Sequence, residues 1–107
     1  MSTLVNDLQT VKAIDVNVTE DELIVDLADG RTLSIPLTWY PRLWQGTMPE
    51  RQNWRMIGNG VGIHWPNLDE DISVEGLILG RRSTESQKSL TKWLEKRRRL
   101  SQDDSAS

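Results

Sequence analysis

Leu23-Ile24-Val25-Asp26-Leu27-Ala28-Asp29-Gly30-Arg31-Thr32-Leu33-Ser34-Ile35-Pro36-Leu37 is the stretch that decides the fold. Side chains on a strand alternate between faces, so Leu23, Val25 and Leu27 share one side and Leu33, Ile35 and Leu37 share one side. Asp29-Gly30 between the two runs is a strong hairpin signal. A two-residue type I′ turn needs positive φ, which Gly supplies without strain. Pro36 has no N–H to donate to a ladder and suits a strand end. Working upstream, residues 11–18 read as another strand, with Ile14, Val16 and Val18 inward and Asp15 and Asn17 outward. Thr19-Glu20-Asp21-Glu22 is a polar turn. Connections this short leave no room for a parallel crossover, so the three strands (11–18, 23–27, 32–37) are expected to form an antiparallel meander. Val16, Val25, Leu33 and Ile35 are the expected core.

Downstream, Thr38 is expected to cap a short helix carrying Trp39, Tyr40 and Pro41 in its first turn. Gly46 breaks it. Thr47-Met48-Pro49-Glu50 matches a capping box, in which the Thr hydroxyl takes the third N–H and the Glu reaches back, so a second helix should run from Met48 to about Trp54. Arg55–Ile57 and Val61–Trp65 read as a second hairpin around Gly58-Asn59-Gly60. That glycine cluster is a turn rather than a phosphate loop, because neither a helix nor a Lys-Ser/Thr pair follows it. Ser73 or Asp71 should cap a further helix over Val74–Leu79, ended by Gly80.

The chain has 107 residues, with 36% hydrophobic and 27% charged residues, no Cys and no Phe. That length fits one domain with a modest core. The absence of Cys excludes disulfides and thiolate chemistry. No apolar run is long enough to span a bilayer. Met1–Thr10 lacks the basic-then-apolar pattern of a signal peptide, so a cytoplasmic location and no membrane association are expected. Charge divides sharply. Residues 1–80 hold five Lys/Arg against twelve Asp/Glu, whereas residues 81–100 hold eight Lys/Arg against two Glu. The expected organisation is therefore an α+β domain over 1–80, followed by a basic helical arm and a disordered tail over 81–107. The fold class is a small antiparallel sheet (a three-stranded meander plus a second short hairpin), short helices on one side, and a C-terminal basic helix.

The chain's only His, His64, lies close in sequence to Asp69, Glu70, Asp71 and Glu75. Hard oxygen ligands with an imidazole suit a divalent cation. Consecutive residues point in different directions, however, and acidic groups at a helix start offset the dipole and satisfy free N–H groups, so capping is the expected role. His64 has no paired nucleophile, and Ser73 is accounted for as a cap. No catalytic, cofactor-binding or metal-ligating residue is expected, nor any cofactor.

Asp29-Gly30-Arg31, Tyr40-Pro41-Arg42-Leu43, Glu50-Arg51, Gly62-Ile63-His64-Trp65-Pro66 and Leu68-Asp69-Glu70-Asp71-Ile72-Ser73-Val74-Glu75-Gly76-Leu77 together resemble the bacterial domain-of-unknown-function family numbered 2442, over about residues 10–80. The resemblance implies a small antiparallel sheet with helices on one side. It also implies a gene placed beside another small uncharacterised protein, in an arrangement like toxin–antitoxin pairs. Some members carry a DNA-binding helix-turn-helix after the domain. Residues 81–107 have room for one helix only, so this chain departs from them. The family has no established catalytic residues to carry over.

Beyond Gly80, Thr84-x-x-Gln87 can start a helix reaching about Leu100, with Leu90, Trp93 and Leu94 as a narrow apolar stripe and Lys96-Arg97-Arg98-Arg99 closing it. Ser101–Ser107 has the composition of a disordered tail. An amphipathic helix with a basic flank is a familiar helix-in-groove ligand. The expected function is a non-enzymatic, partner-binding protein: the antidote or accessory component of a bacterial two-protein, toxin–antitoxin-like module. Leu90, Trp93, Leu94, Arg97, Arg98 and Arg99 would contact another small protein, encoded next to it. The alternative is a nucleic-acid-binding module, with Arg81, Arg82, Lys92, Lys96, Arg97, Arg98 and Arg99 on phosphates and Trp93 stacking on a base.

Overall fold

The computed structural model describes residues 11–106, with side chains through Leu100. Met1–Thr10, read above as no signal peptide, and the side chains of the tail Ser101–Ser107 lie outside the described residues. The fold is α+β, with two antiparallel three-stranded sheets, several short helices and a C-terminal helix. Strands β1 (Ala13–Val18), β2 (Glu22–Leu27) and β3 (Thr32–Pro36) form the meander in that order. β2 pairs antiparallel with both neighbours, Val16 lying opposite Val25 and Val25 opposite Leu33. The inward face is as alternation requires: Val16, Val18, Leu23, Val25, Leu27, Ile35 and Leu37 are buried, and Leu33 is half-buried.

Two local expectations are corrected. Ile14 is 65% exposed and Ala13 is buried in its place. The β1–β2 register shifts between Ala13 and Asp15, and such an irregularity moves a side chain to the opposite face. The β2–β3 turn is not type I′ either, because Asp29 has no positive φ and only Gly30 does, at 97°. Gly30 N–H donates to the Leu27 carbonyl and Leu27 N–H to the Arg31 carbonyl, which makes a three-residue loop closed by a glycine.

A 3₁₀ turn (Leu37–Trp39) leads to helices α1 (Pro41–Gln45) and α2 (Met48–Gln52). Thr38 caps nothing. Pro41 is the first helical residue, and proline holds the residue before it extended, so Tyr40 separates the two turns. The capping box on α2 is complete, with Thr47 Oγ accepting from Glu50 N–H and Glu50 Oε1 accepting from Thr47 N–H.

The second sheet has one strand more than the expected hairpin: β4 (Arg55–Ile57), β5 (Gly62–Trp65) and β6 (Glu70–Ser73), with β5 central. The acidic block therefore caps no helix. Asp69 sits in the turn with φ 51°, and Glu70 and Asp71 pair across from Trp65 and His64. Ser73 alone caps α3 (Val74–Ile78), accepting from Gly76 N–H.

The two sheets share one core, in which Trp65, Leu68, Ile63 and Val74 join the meander residues. They meet where Ala13 N–H donates to the Gly60 carbonyl at 2.8 Å. Gly60 has φ 106°, and a Cβ there would lie 2.3 Å from the Ala13 carbonyl, so only glycine permits this approach. Arg51 is the one buried charged side chain among the described residues. Its guanidinium donates to the carbonyls of Leu43, Trp44, Thr19 and Glu20, tying the end of α1 to the β1–β2 turn.

The last helix, α4 (Gln87–Ala106), starts three residues later than Thr84 and runs past Leu100. Ser86 stands before it, its hydroxyl accepting from Ser89 N–H at 3.1 Å. No Gly or Pro between Leu100 and Ala106 interrupts the backbone ladder. Among the described residues no helix is long and apolar enough to cross a membrane.

Candidate functional site

The segment after α3 is fastened to the body. Tyr40 Oη donates to the Arg81 carbonyl at 2.6 Å, Ser83 N–H donates to the Trp39 carbonyl at 3.1 Å, and the Arg82 guanidinium lies 4.3 Å over the Trp39 ring. This strap and the start of β6 enclose a polar cleft of about 240 Å³ lined by Tyr40, Glu70, Ser73, Arg81 and Thr84. Glu70 is pushed up to about 7 because burial penalises its charged form, while the nearby Arg42 cation partly opposes that shift.

The strap delivers α4 onto α1 and α2. Arg42, on α1, grips Glu85 with Nε and Nη2 at 2.6–3.0 Å and donates Nη1 to the Asp69 carbonyl at 3.0 Å. Arg97, on α4, forms a two-pronged pair with Glu50, at 2.7 Å and 3.0 Å. Trp93 lies between the two, with the Arg42 guanidinium 5.0 Å and that of Arg97 4.7 Å from its ring centroid. Cations on the faces of one indole are attracted by its quadrupole, and the two carboxylates offset the repulsion between them. Both acids respond: hydrogen bonds from Arg97 hold Glu50 below the usual carboxylate range, and hydrogen bonds from Arg42 do the same for Glu85. Glu50 thus serves twice, because the carboxylate that closes the α2 capping box also receives Arg97.

Of the residues expected to contact a partner, Trp93 and Arg97 are engaged with the chain's own body, Leu90 and Leu94 are half-buried, and Arg98 and Arg99 are exposed. Of those assigned to nucleic acid, Lys92 and Lys96 are exposed, Arg82 stacks on Trp39, and the Arg81 side chain is exposed. The network of Arg42, Glu50 and Glu85 escaped the sequence reading. Tyr40-Pro41-Arg42 and the capping-box Glu50 were visible, but only the fold brings them to one helix. His64 Nδ1 bonds to Asp71 across the β5–β6 ladder, and neither group meets Asp69. Among the described residues no three His, Asp or Glu side chains gather as a metal site.

The strands, the capped α3 and the strap correspond to a known profile, since residues 13–83 match that of the protein-of-unknown-function family DUF2442. The chain belongs to that family. The profile ends before α4 begins, so the DUF2442 match contains Arg42 and Glu50 but not Trp93 or Arg97. A crystal structure of a protein of unknown function from Rhodospirillum rubrum is similar, with 28% identity and a TM-score of 0.62 over 72% of this chain and 95% of that one. The solution structure of an uncharacterised protein from Chromobacterium violaceum shares the fold, with 24% identity and a TM-score of 0.62 over 85% of each chain. No curated protein matches the chain.

Proposed function

We infer that this DUF2442 member is a non-enzymatic, partner-binding protein of the cytoplasm, the antidote or accessory component of a two-protein, toxin–antitoxin-like module. One observation carries the reading. α4 meets the body through one half-buried ring, Trp93, which touches the edge of the core and is flanked by two ion-paired arginines, and among the described residues no α4 side chain is fully buried. Contacts of this kind are individually modest in water and exchange readily, whereas an apolar core does not. A partner groove that accepts Leu90, Trp93 and Leu94 replaces the body as their neighbour, and the basic run Arg97–Arg99 guides the encounter. The two-protein arrangement rests on the family resemblance.

The test is co-expression with the protein encoded next to this one. The full chain should co-purify with that neighbour. A Leu90→Ala/Trp93→Ala/Leu94→Ala variant should remain folded by circular dichroism and lose it, because such anchors dominate helix-in-groove binding. Neutralising Arg97, Arg98 and Arg99 should slow association and weaken its dependence on salt. Equal retention by the triple-alanine variant, or no complex with wild type, overturns the reading.

A further inference from the structure

α4 has a second face that the body does not use. At 3.6 residues per turn, Lys88, Lys92, Lys96 and Arg99 fall within an arc of about 80°, centred roughly 140° from the arc that carries Leu90, Trp93 and Arg97. All four are exposed, and among the described residues none takes part in an ion pair. With a rise of 1.5 Å per residue the stripe is about 16 Å long. Trp93 and Arg97, in the same turns, face α1 and α2, so the stripe lies on the side of the helix turned away from the body.

We propose that the outward stripe of α4 (Lys88, Lys92, Lys96 and Arg99) binds the phosphate backbone of nucleic acid without reading its sequence. Charge complementarity selects the partner. Exposed Glu95 flanks the stripe about 20° beyond Lys88, and four cations against that one carboxylate leave an excess of positive charge that repels itself and is relieved by an extended polyanion. The side chains on the line also set the mode. The stripe has no Asn or Gln to read adenine, and three of its four cations are Lys, a flexible point charge that meets phosphate without the fixed fork a base edge rewards, so its contacts are with phosphates. Arg97 is excluded because Glu50 and the Trp93 ring already hold it. The docked face of α4 supports this role by fixing the helix with the stripe outward. Only Arg99 is shared with the protein-partner reading, and Lys88, Lys92 and Lys96, which that reading does not use, let the two be tested separately.

The experiment is fluorescence anisotropy of the full chain with labelled duplexes of about 20 base pairs in two unrelated sequences, at 50–200 mM NaCl. Four phosphate contacts predict a slope of log K against log salt near −3.6, or roughly 150-fold weaker binding across that range, equal for both sequences. Lys92→Ala alone should reduce the slope by about 0.9, and Lys88→Ala/Lys92→Ala/Lys96→Ala/Arg99→Ala should bring it near zero. A Lys88→Arg/Lys92→Arg/Lys96→Arg variant keeps the charge and should keep the slope. The proposal is overturned by absence of binding at 50 mM salt, by an unchanged slope in the four-alanine variant, or by loss of binding in the arginine variant. Poly-glutamate binding as tightly as the duplex overturns it too, since the stripe would then be suited to an acidic protein.

Discussion

Trp65, on β5, is fully buried and donates its indole N–H to the Arg51 carbonyl at 2.9 Å, whereas Trp93, on α4, is half-buried between the guanidinium groups of Arg42 and Arg97. The first ring is surrounded by apolar side chains of both sheets, and its one polar atom is satisfied. The second is bounded by charges that are themselves paired with Glu85 and Glu50. Apolar burial is non-directional and strong in proportion to area, so it fixes the body. The largely buried Arg42–Glu85 pair anchors the strap, whereas the partly exposed Glu50–Arg97 pair and the cation–π contacts lose more of their worth to water, so they hold α4 in register while leaving it separable. The boundary of the family match follows the same division, because it ends before the element that is held by charge.

The comparison breaks first at Trp65. Trp65→Ala should cost about 3–5 kcal/mol, measured by urea unfolding, through a large cavity and an orphaned Arg51 carbonyl. A cost near 1 kcal/mol would mean that the two sheets do not depend on this ring. Arg51→Met should follow at about 3 kcal/mol, because it strands four carbonyls around a buried site that methionine cannot serve. Full retention of stability would show that water satisfies them instead.

Glu70 sharpens the comparison through pH. Its folded value of about 7 lies above the ordinary 4.5, so the folded state holds the proton more tightly than the unfolded one. Stability should therefore fall as pH rises from 4.5 to about 7 and stay level above that. The loss should be about 2 kcal/mol, after reducing the full linkage value for the partial exposure of Glu70. Glu50 and Glu85 have the opposite sign. Their values are lowered, so their contribution is present above the usual carboxylate range and is lost at more acid pH. Glu70→Gln should flatten the neutral limb and leave the acid limb. An unchanged neutral limb would assign the effect to another group.

The meander was legible because Leu23, Val25, Leu27, Ile35 and Leu37 alternate without interruption, and the α2 capping box was legible because its four residues are contiguous. Ile14 misled because a register shift leaves no mark in the order of side chains. β6 was hidden by Asp69-Glu70-Asp71, which has the composition of a helix start. Its strand character rests on pairing with residues 62–65, and Ile72 is its only buried side chain. The dock of α4 was out of reach for a similar reason. Arg42, Glu50, Glu85 and Arg97 are each ordinary charged residues, 47 positions separating the second and the last. Nothing in the chain order says that the fold brings them around one ring.

The smallest effects lie in the dock itself. Trp93→Ala should cost about 1–2 kcal/mol, combining a half-buried aromatic with two cation–π contacts of about 0.5–1 kcal/mol each. Deleting residues 86–107, which leaves Glu85 on Arg42, should cost little more than that, since the family profile ends at residue 83, before α4. Within the dock, a double-mutant cycle on Glu50→Ala and Arg97→Ala isolates the ion pair. Both partners are about a quarter exposed, which limits their coupling to about 0.5–1 kcal/mol. Glu50→Ala alone should cost more than Arg97→Ala, because it also opens the Thr47 capping box. Trp93 fluorescence should shift toward the solvent-exposed spectrum in Arg97→Ala and in high salt alike, whereas the urea midpoint of the body should move only slightly. If high salt lowers that midpoint as much as Trp65→Ala does, α4 is part of the core and the contrast between the two tryptophans fails.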